Sequence, residues 1–345
     1  YLYIHAVKDV LKTDVIIEHS IDRGIYTEIL NKKEITLADV EAIEKRMHEL
    51  AAAKIPFEKL SILRFDAINY FEKTNQQDKV SLLKYISNNY INLYKFDNLY
   101  DYFFGEMPLD TSYFDCFKLT YVAPKGIVLR YPNLFLGCEI TDYVEHGKLF
   151  AEFRKYHQWC DRLNINNVSD LNEQISSGKM RDLIYLSEVE QNSRLYKLAE
   201  HISSHEDIKV VLISGPSSSG KTTTSKKLSL YLKSMGINPH PLSLDDYFLD
   251  REKTPLNEEG HPDFESIKSI DVDLFKNQLN KLLNHEEVLV PEYNFITGKS
   301  EYKKKRLKLE QKDILISEGL HALSEEITSN IDKLHKYKIY ISPLT

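Results

Sequence analysis

Long apolar runs are missing from this 345-residue sequence. The longest strongly apolar stretch is Val210–Ile213 with its immediate surroundings. That is far short of the eighteen or more residues a membrane-spanning helix needs, so no membrane partner is expected. Cysteine is scarce as well. Cys116, Cys138 and Cys160 stand far apart and form no metal-ligand pattern. An odd, sparse count fits a reducing compartment, and a cytoplasmic location is the expectation. No signal peptide opens the chain, which begins at Tyr1 rather than Met and reads as a fragment. Positive charge is not in excess. The net charge of −7 argues against a bulk electrostatic grip on nucleic acid and leaves room only for a local basic patch. No internal repeat or low-complexity tract stands out. The length is enough for two ordinary domains.

The first part mixes strands and helices. "DVIIEHSID" (14–22) alternates like a strand, Arg23-Gly24 reads as a turn, and "GIYTEIL" (24–30) as the return strand. Thr36 is a good N-cap, with Ile35 placed as a staple. Val40, Ile43, Met47 and Leu50 then give one apolar helical face, ended by Pro56. Further helices are expected at "FDAINYFEKT" and "KVSLLKYISNNY", and strands at "CFKLTYVA" and "GIVLRYP". From 147 to 204 the pattern is helical and reads as a connector. From Ile208 on, strands ("KVVLIS", "PHPLSL", "KDILIS", "YKIYIS") alternate with helices (222–235 and 271–284). Continuous apolar strands in a βαβ series predict a doubly wound, mostly parallel α/β sheet.

The chemistry is concentrated at "GPSSSGKTT". Gly215, Gly220, Lys221 and Thr222 satisfy G-x-x-x-x-G-K-[ST] between a strand and a helix. The glycines let backbone N–H groups converge on an anion, and the helix adds the positive end of its dipole. Lys221 reaches the outer phosphates and Thr222 offers a hydroxyl to Mg²⁺. Gly215, Ser217, Ser218, Ser219, Gly220, Lys221, Thr222 and Thr223 are therefore the expected nucleotide-binding residues of a P-loop NTPase domain, a loop that by itself does not decide between a kinase, an ATPase and a switch GTPase. Asp245 and Asp246 fall at the end of the next strand, beside the nucleotide crevice of such a sheet. A carboxylate there takes a proton from an incoming hydroxyl, unless the pair only caps a turn. Glu318, after "KDILIS", takes the place of the acid that orients Mg²⁺ or its water.

The blocks "GPSSSGKTT", "SLDDYFLDRE", "TPLNEEGHPDFE", "VLVPEYNF" and "ILISEGLHAL" resemble, in this order, the uridine kinase and phosphoribulokinase family over Ile208–Thr345. The resemblance implies ATP-dependent phosphorylation of a nucleoside 5′-hydroxyl. It implies Asp245 and Lys221 as catalytic residues, with Thr222 and Glu318 at the metal. Asp245, Phe248, Asp263 and Tyr293 are implied on the acceptor: Phe248 and Tyr293 at the base, Asp263 at the ribose hydroxyls. Two departures matter. Gly298 stands where uridine kinases carry a histidine after the Tyr-x-Phe block, which puts pyrimidine selectivity in question. The sequence also stops at "YISPLT", before the arginine-bearing lid of the family, so weak phosphoryl transfer is expected of this polypeptide.

The first half resembles the second additional domain of threonyl-tRNA synthetase over Tyr1–Pro132, through "IEHSIDRGIYTEI", "LADVEAIEKRMHELAAAKIPF" and "YDYFFGEMPLDTSYFDCFKL". That editing domain carries His-x-x-x-His and Cys-x-x-x-His pairs. Here those positions read Tyr1, His5, Phe103 and Met107. Aromatic and thioether groups neither ligate metal well nor shuttle protons. A catalytically inactive α+β domain is the expectation. The lone His5 has a structural role as its simpler reading. The expected organisation is 1–145 editing-like, 146–206 helical connector and 207–345 P-loop kinase.

His201 and His205 have helical metal-pair spacing but lack a third ligand, so a solvated helix face is favoured. The basic run "YKKKRLK" (302–308) reads as an exposed hairpin arm near Gly298. The leading reading is a nucleoside kinase. Its alternatives are a kinase of another small hydroxylated metabolite and a nucleotide-switched RNA-associated binding protein. tRNA binding is not favoured by the acidic charge. A homo-oligomer stays open.

Overall fold

A computed structural model describes residues 1–21, 23–103, 105–132, 137–302 and 305–342. It divides into one unit over Tyr1–Lys179 and a second from Met180 onward.

The first unit runs α1 (Leu2–Leu11), β1 (Val15–Ile21), β2 (Gly24–Ile29), α2 (Leu37–Ala52), β3 (Phe57–Leu63), α3 (Arg64–Lys73) and α4 (Gln77–Lys84). It continues β4 (Tyr90–Phe96), β5 (Leu99–Tyr102), β6 (Lys118–Val122), β7 (Gly126–Arg130), α5 (Gly147–Leu163) and α6 (Val168–Ser176). Two antiparallel sheets result, ordered β1-β2-β7-β6 and β3-β4-β5. Thr36 caps α2 as expected: its hydroxyl accepts from the Asp39 N–H while Asp39 accepts from the Thr36 N–H, a reciprocal capping box. The predicted stripe Val40, Ile43, Met47 and Leu50 is buried against Leu2, Ala6 and Val7 of α1 and against Ile29 and Ile127 of the first sheet.

Two expectations in this unit are corrected. The helix expected over "KVSLLKYISNNY" ends at Lys84, and its last residue, Tyr90, opens β4. The intervening Ser-Asn-Asn favours a turn, because these short polar side chains bond nearby backbone groups. The widely spaced cysteines, which fitted a reducing compartment, include a pair that the fold brings together: Cys116 and Cys138 form a disulfide. Asp115 lies beside them, but sulfurs bonded to each other do not offer the thiolates that bind metal.

The second unit runs α7 (Met180–Ser203), β8 (Val210–Ser214), α8 (Lys221–Ser234), β9 (Asn238–Ser243), α9 (Val272–Leu283), β10 (Val288–Leu289) and β11 (Glu292–Asn294). It continues β12 (Lys299–Glu301), β13 (Arg306–Leu307), β14 (Asp313–Glu318), α10 (Glu325–Thr328) and β15 (Lys336–Tyr340). Its main sheet is parallel throughout, in the order β15-β8-β14-β9. Both faces are covered, which is why "VVLI" has no polar alternation. Val211 and Ile213 pack with Leu228 and Leu232 of α8 and with Ala199 and Ile202 of α7. Val210 and Leu212 pack with Phe275 and Leu279 of α9. Burying each of the valine, leucine, isoleucine and phenylalanine side chains among them is worth about 2 kcal/mol. The predicted α/β P-loop architecture is present. The helical stretch 146–206 is divided: α5 and α6 belong to the first unit and α7 to the second. Among the described residues no helix is long and apolar enough to cross a membrane.

Candidate active site

The parallel order places the C-terminal ends of β8, β14 and β9 side by side, and the chemistry-bearing residues follow those ends. After β8 the chain turns through 215–220 into α8. Gly215 is buried, and a Cβ there would collide with the backbone carbonyl of Ile341 and lie 2.7 Å from Ser219 Oγ. No other residue fits this close approach. Ser218 takes a left-handed conformation (φ 59°) and Gly220 precedes the first turn of α8, so the loop curls as a phosphate cradle requires. Ser217, Ser218 and Thr223 are exposed, whereas Ser219 Oγ is buried without a partner among the described residues. Lys221 Nζ donates to the carbonyls of Gly215 and Pro216, both at 3.0 Å.

Glu318 is the last residue of β14, and the Thr222 hydroxyl donates to its Oε1 at 2.9 Å. A hydroxyl and a carboxylate joined in this way are hard oxygen donors of the kind Mg²⁺ takes. Asp245 and Asp246 sit in the 3-10 turn Leu244–Tyr247 that follows β9. This turn is anchored by Tyr247, whose ring is buried against Phe275 and whose hydroxyl donates to Gln278 Oε1 of α9 at 2.8 Å. Asp245 is exposed, yet the surrounding protein still takes part of its carboxyl's solvation. That loss of solvation, and then the charge of Glu318, push its carboxyl above the usual range, while Lys221 works the other way. Asp246 is raised as well, first by burial, with Lys305 opposing. A carboxylate of increased basicity next to a cation-binding pair suits the acceptance of a hydroxyl proton.

Three residues beyond Asp245, Phe248 begins an aromatic cluster. Its ring meets Phe264 at 5.3 Å, Tyr293 at 5.5 Å and Phe295 at 6.1 Å. Tyr293 is buried, and among the described residues its hydroxyl has no partner. Phe264 and Phe295 were not singled out in the sequence. The signal was an aromatic in each of three separate blocks around the two that were. Asp263 lies one residue before Phe264, and its Oδ1 accepts from the N–H groups of Glu265 and Ser266. The structure thus brings together the loop, Thr222, Glu318 and Asp245, and joins Phe248 to Tyr293.

In the first unit, Tyr1 and Phe103 meet edge to face at 6.5 Å. Tyr1 and Met107 line one apolar cavity of about 340 Å³ with Met47, Phe57 and Phe114. His5 is buried, 3.2 Å from Asp97, and edges Phe96. His201 and His205 are exposed, and His205 Nδ1 lies 2.7 Å from the His201 carbonyl. In the basic run, Lys303 and Lys304 fall outside the described residues; Arg306 and Leu307 pair with β10.

The Phosphoribulokinase / Uridine kinase family profile matches residues 210–345. The threonine–tRNA ligase of Francisella tularensis subsp. novicida (strain U112) is 33% identical over 124 residues, 36% of this chain and 20% of that protein. The ligase of Francisella tularensis subsp. tularensis (strain SCHU S4 / Schu 4) matches to the same extent. The chain thus spans about a fifth of the length of these curated relatives. Among solved structures, a possible uridine kinase from Bacillus stearothermophilus aligns at TM-score 0.38 and 24% identity, over 45% of this chain and 83% of that one. A D-glycerate 3-kinase from Cryptococcus neoformans aligns at TM-score 0.29 and 22% identity, over 39% and 52%. Residues 210–345 are a P-loop kinase domain of the phosphoribulokinase/uridine kinase family, and the N-terminal part of the chain is homologous to threonine–tRNA ligase.

Proposed function

We propose that the second unit transfers the γ-phosphate of ATP to the 5′-hydroxyl of a nucleoside. The observation that carries this reading is the sequence of groups leading away from the phosphate loop. Lys221, Thr222 and Glu318 come first, then Asp245 with its raised carboxyl, then the Phe248–Tyr293 cluster. In this reading the loop N–H groups and Lys221 hold the phosphates, and Thr222 and Glu318 hold Mg²⁺. The bound cation supplies neutralisation of charge on the transferring group. Asp245 accepts the hydroxyl proton as the acceptor oxygen lines up with the phosphorus. The aromatic rings supply flat apolar surface for a base.

The first unit is read as a catalytically silent relative of the editing domain. Its support is that Tyr1 and Met107 line an apolar cavity while His5 is engaged with Asp97. ADP release measured across a panel of nucleosides, sugars and hydroxy acids tests the kinase reading. Transfer to nucleosides above all other acceptors is expected; transfer only to non-nucleoside acceptors would overturn it.

A further inference from the structure

Gly298 and Arg251 share one volume. Gly298 is buried in the turn between β11 and β12 with φ of 70°. A Cβ at this position would lie 2.9 Å from Cβ and from Nε of Arg251 and 3.0 Å from its Cζ. The arginine stem and guanidinium therefore lie where a side chain at 298 would begin. They are held there. The Arg251 N–H donates to the Gly298 carbonyl at 2.8 Å, and Nη2 donates to the Phe295 carbonyl at 2.7 Å. The neighbouring Asp250 Oδ1 accepts from the Ser300 N–H at 3.1 Å, which ties the same turn from the other strand. Phe295 meets Tyr293 at 5.0 Å and Phe248 at 6.1 Å. Arg251 thus stands at the rim of the aromatic cluster, six residues beyond Asp245. It is exposed, and among the described residues no carboxylate pairs with it. Inside the cluster, the Tyr293 hydroxyl is buried and has no partner among the described residues.

We propose that Arg251 selects the acceptor by reading the ring carbonyl that uridine carries at C4 and inosine at C6, so that the preferred substrates are these oxo-nucleosides rather than their amino counterparts cytidine and adenosine. The inference rests on the nucleoside kinase reading above. A guanidinium has only donors and keeps its charge at any accessible pH. Opposite a ring carbonyl it forms a charge-assisted hydrogen bond. Opposite an exocyclic amino group it sets donor against donor, so that no hydrogen bond forms between them. Glycine at 298 is the condition for this arrangement, because any side chain there would displace the arginine.

The test is calorimetric titration of the full chain with uridine, cytidine, inosine and adenosine, in the presence of Mg²⁺ and a non-hydrolysable ATP analogue. The oxo member of each pair is expected to bind about tenfold tighter or more, as one lost or opposed hydrogen bond to a base edge costs. Arg251→Ala should bring each pair to within about twofold with the affinity for the ATP analogue unchanged, and Arg251→Lys should keep part of the preference. An equal loss for all four nucleosides in Arg251→Ala would show that the side chain only supports the turn, and would overturn the proposal. A wild-type protein that binds nucleosides without oxo preference would overturn it too. If the ATP analogue binds and no nucleoside does, the nucleoside reading itself falls, and this inference with it.

Discussion

The Thr222 hydroxyl and the Glu318 carboxylate are 96 residues apart in sequence and 2.9 Å apart in space. One sits in the first turn of α8 and the other ends β14, so the parallel register of β14 with β8 sets their distance. Glu318→Gln keeps the shape and the hydrogen bond but removes the charge. We expect the affinity for ATP in the presence of Mg²⁺ to fall about tenfold or more, as losses around metal ligands do. Binding of metal-free ATP should stay nearly unchanged. Titration with and without Mg²⁺ separates the two, and an unaltered Mg²⁺ dependence would show that the cation is held elsewhere.

In the proposed reaction Asp245 accepts the hydroxyl proton, and its surroundings disfavour its charge. Its folded-state pKa lies above the ordinary carboxylate value because of lost solvation and the nearby Glu318. Over the pH range between those two values the folded protein binds more protons than the unfolded chain, so stability falls as pH rises through that window. At neutral pH, Asp245→Asn removes the strained charge. The melting temperature should shift upward and only slightly, because Asp245 is exposed and solvent screens much of the repulsion. Phosphoryl transfer should drop about 10²- to 10⁴-fold through loss of the proton acceptor. Melting curves and initial rates on one preparation check both. A variant that is less stable and fully active would remove Asp245 from the site.

Much of this site could be read directly because its parts are short and local. The loop from Gly215 to Thr223 lies between a strand and a helix that each announce themselves, and Asp245 follows its strand by two residues. Thr36 with Asp39 was equally local. What escaped depends on distant partners. β3 and β4 form a sheet with register Phe57↔Phe96 to Leu63↔Tyr90, but "FEKLSIL" and "YINLYKF" interleave charged and polar residues that blur a period of two. Cys116 and Cys138 are joined across 22 residues, a proximity no spacing rule encodes. Arg251 looks like one more charge in "FLDREK" until the turn at Gly298 folds onto it. Residues that act by occupying a neighbour's space leave no motif.

His19 should make the first unit sensitive to acid. Its ring stacks on Phe153 of α5 at 3.5 Å, with Tyr26 and Phe150 around it, and both ring nitrogens are buried without a partner among the described residues. Burial first, and the neighbouring His157 second, lower its pKa to about 4, with Glu28 opposing. The surrounding charges are engaged with one another: His157 with Glu18 at 2.8 Å, and Lys125 with Glu28 at 2.7 Å. An unfolded histidine titrates near 6.5. Between that value and about 4, the unfolded chain binds the extra proton, so stability is complete above the window and declines as pH falls through it. Glu18, whose carboxyl is raised by burial, contributes in the opposite sense on acidification, so wild type alone would mix the two. His19→Phe keeps the stacking and deletes the proton site. The variant should lose less stability than wild type on going from pH 7 to pH 4.5, and the His19 ring protons of the wild type should show no titration by NMR until well below 6. A ring that titrates near its ordinary value would place a water or an anion against it and remove the acid sensitivity.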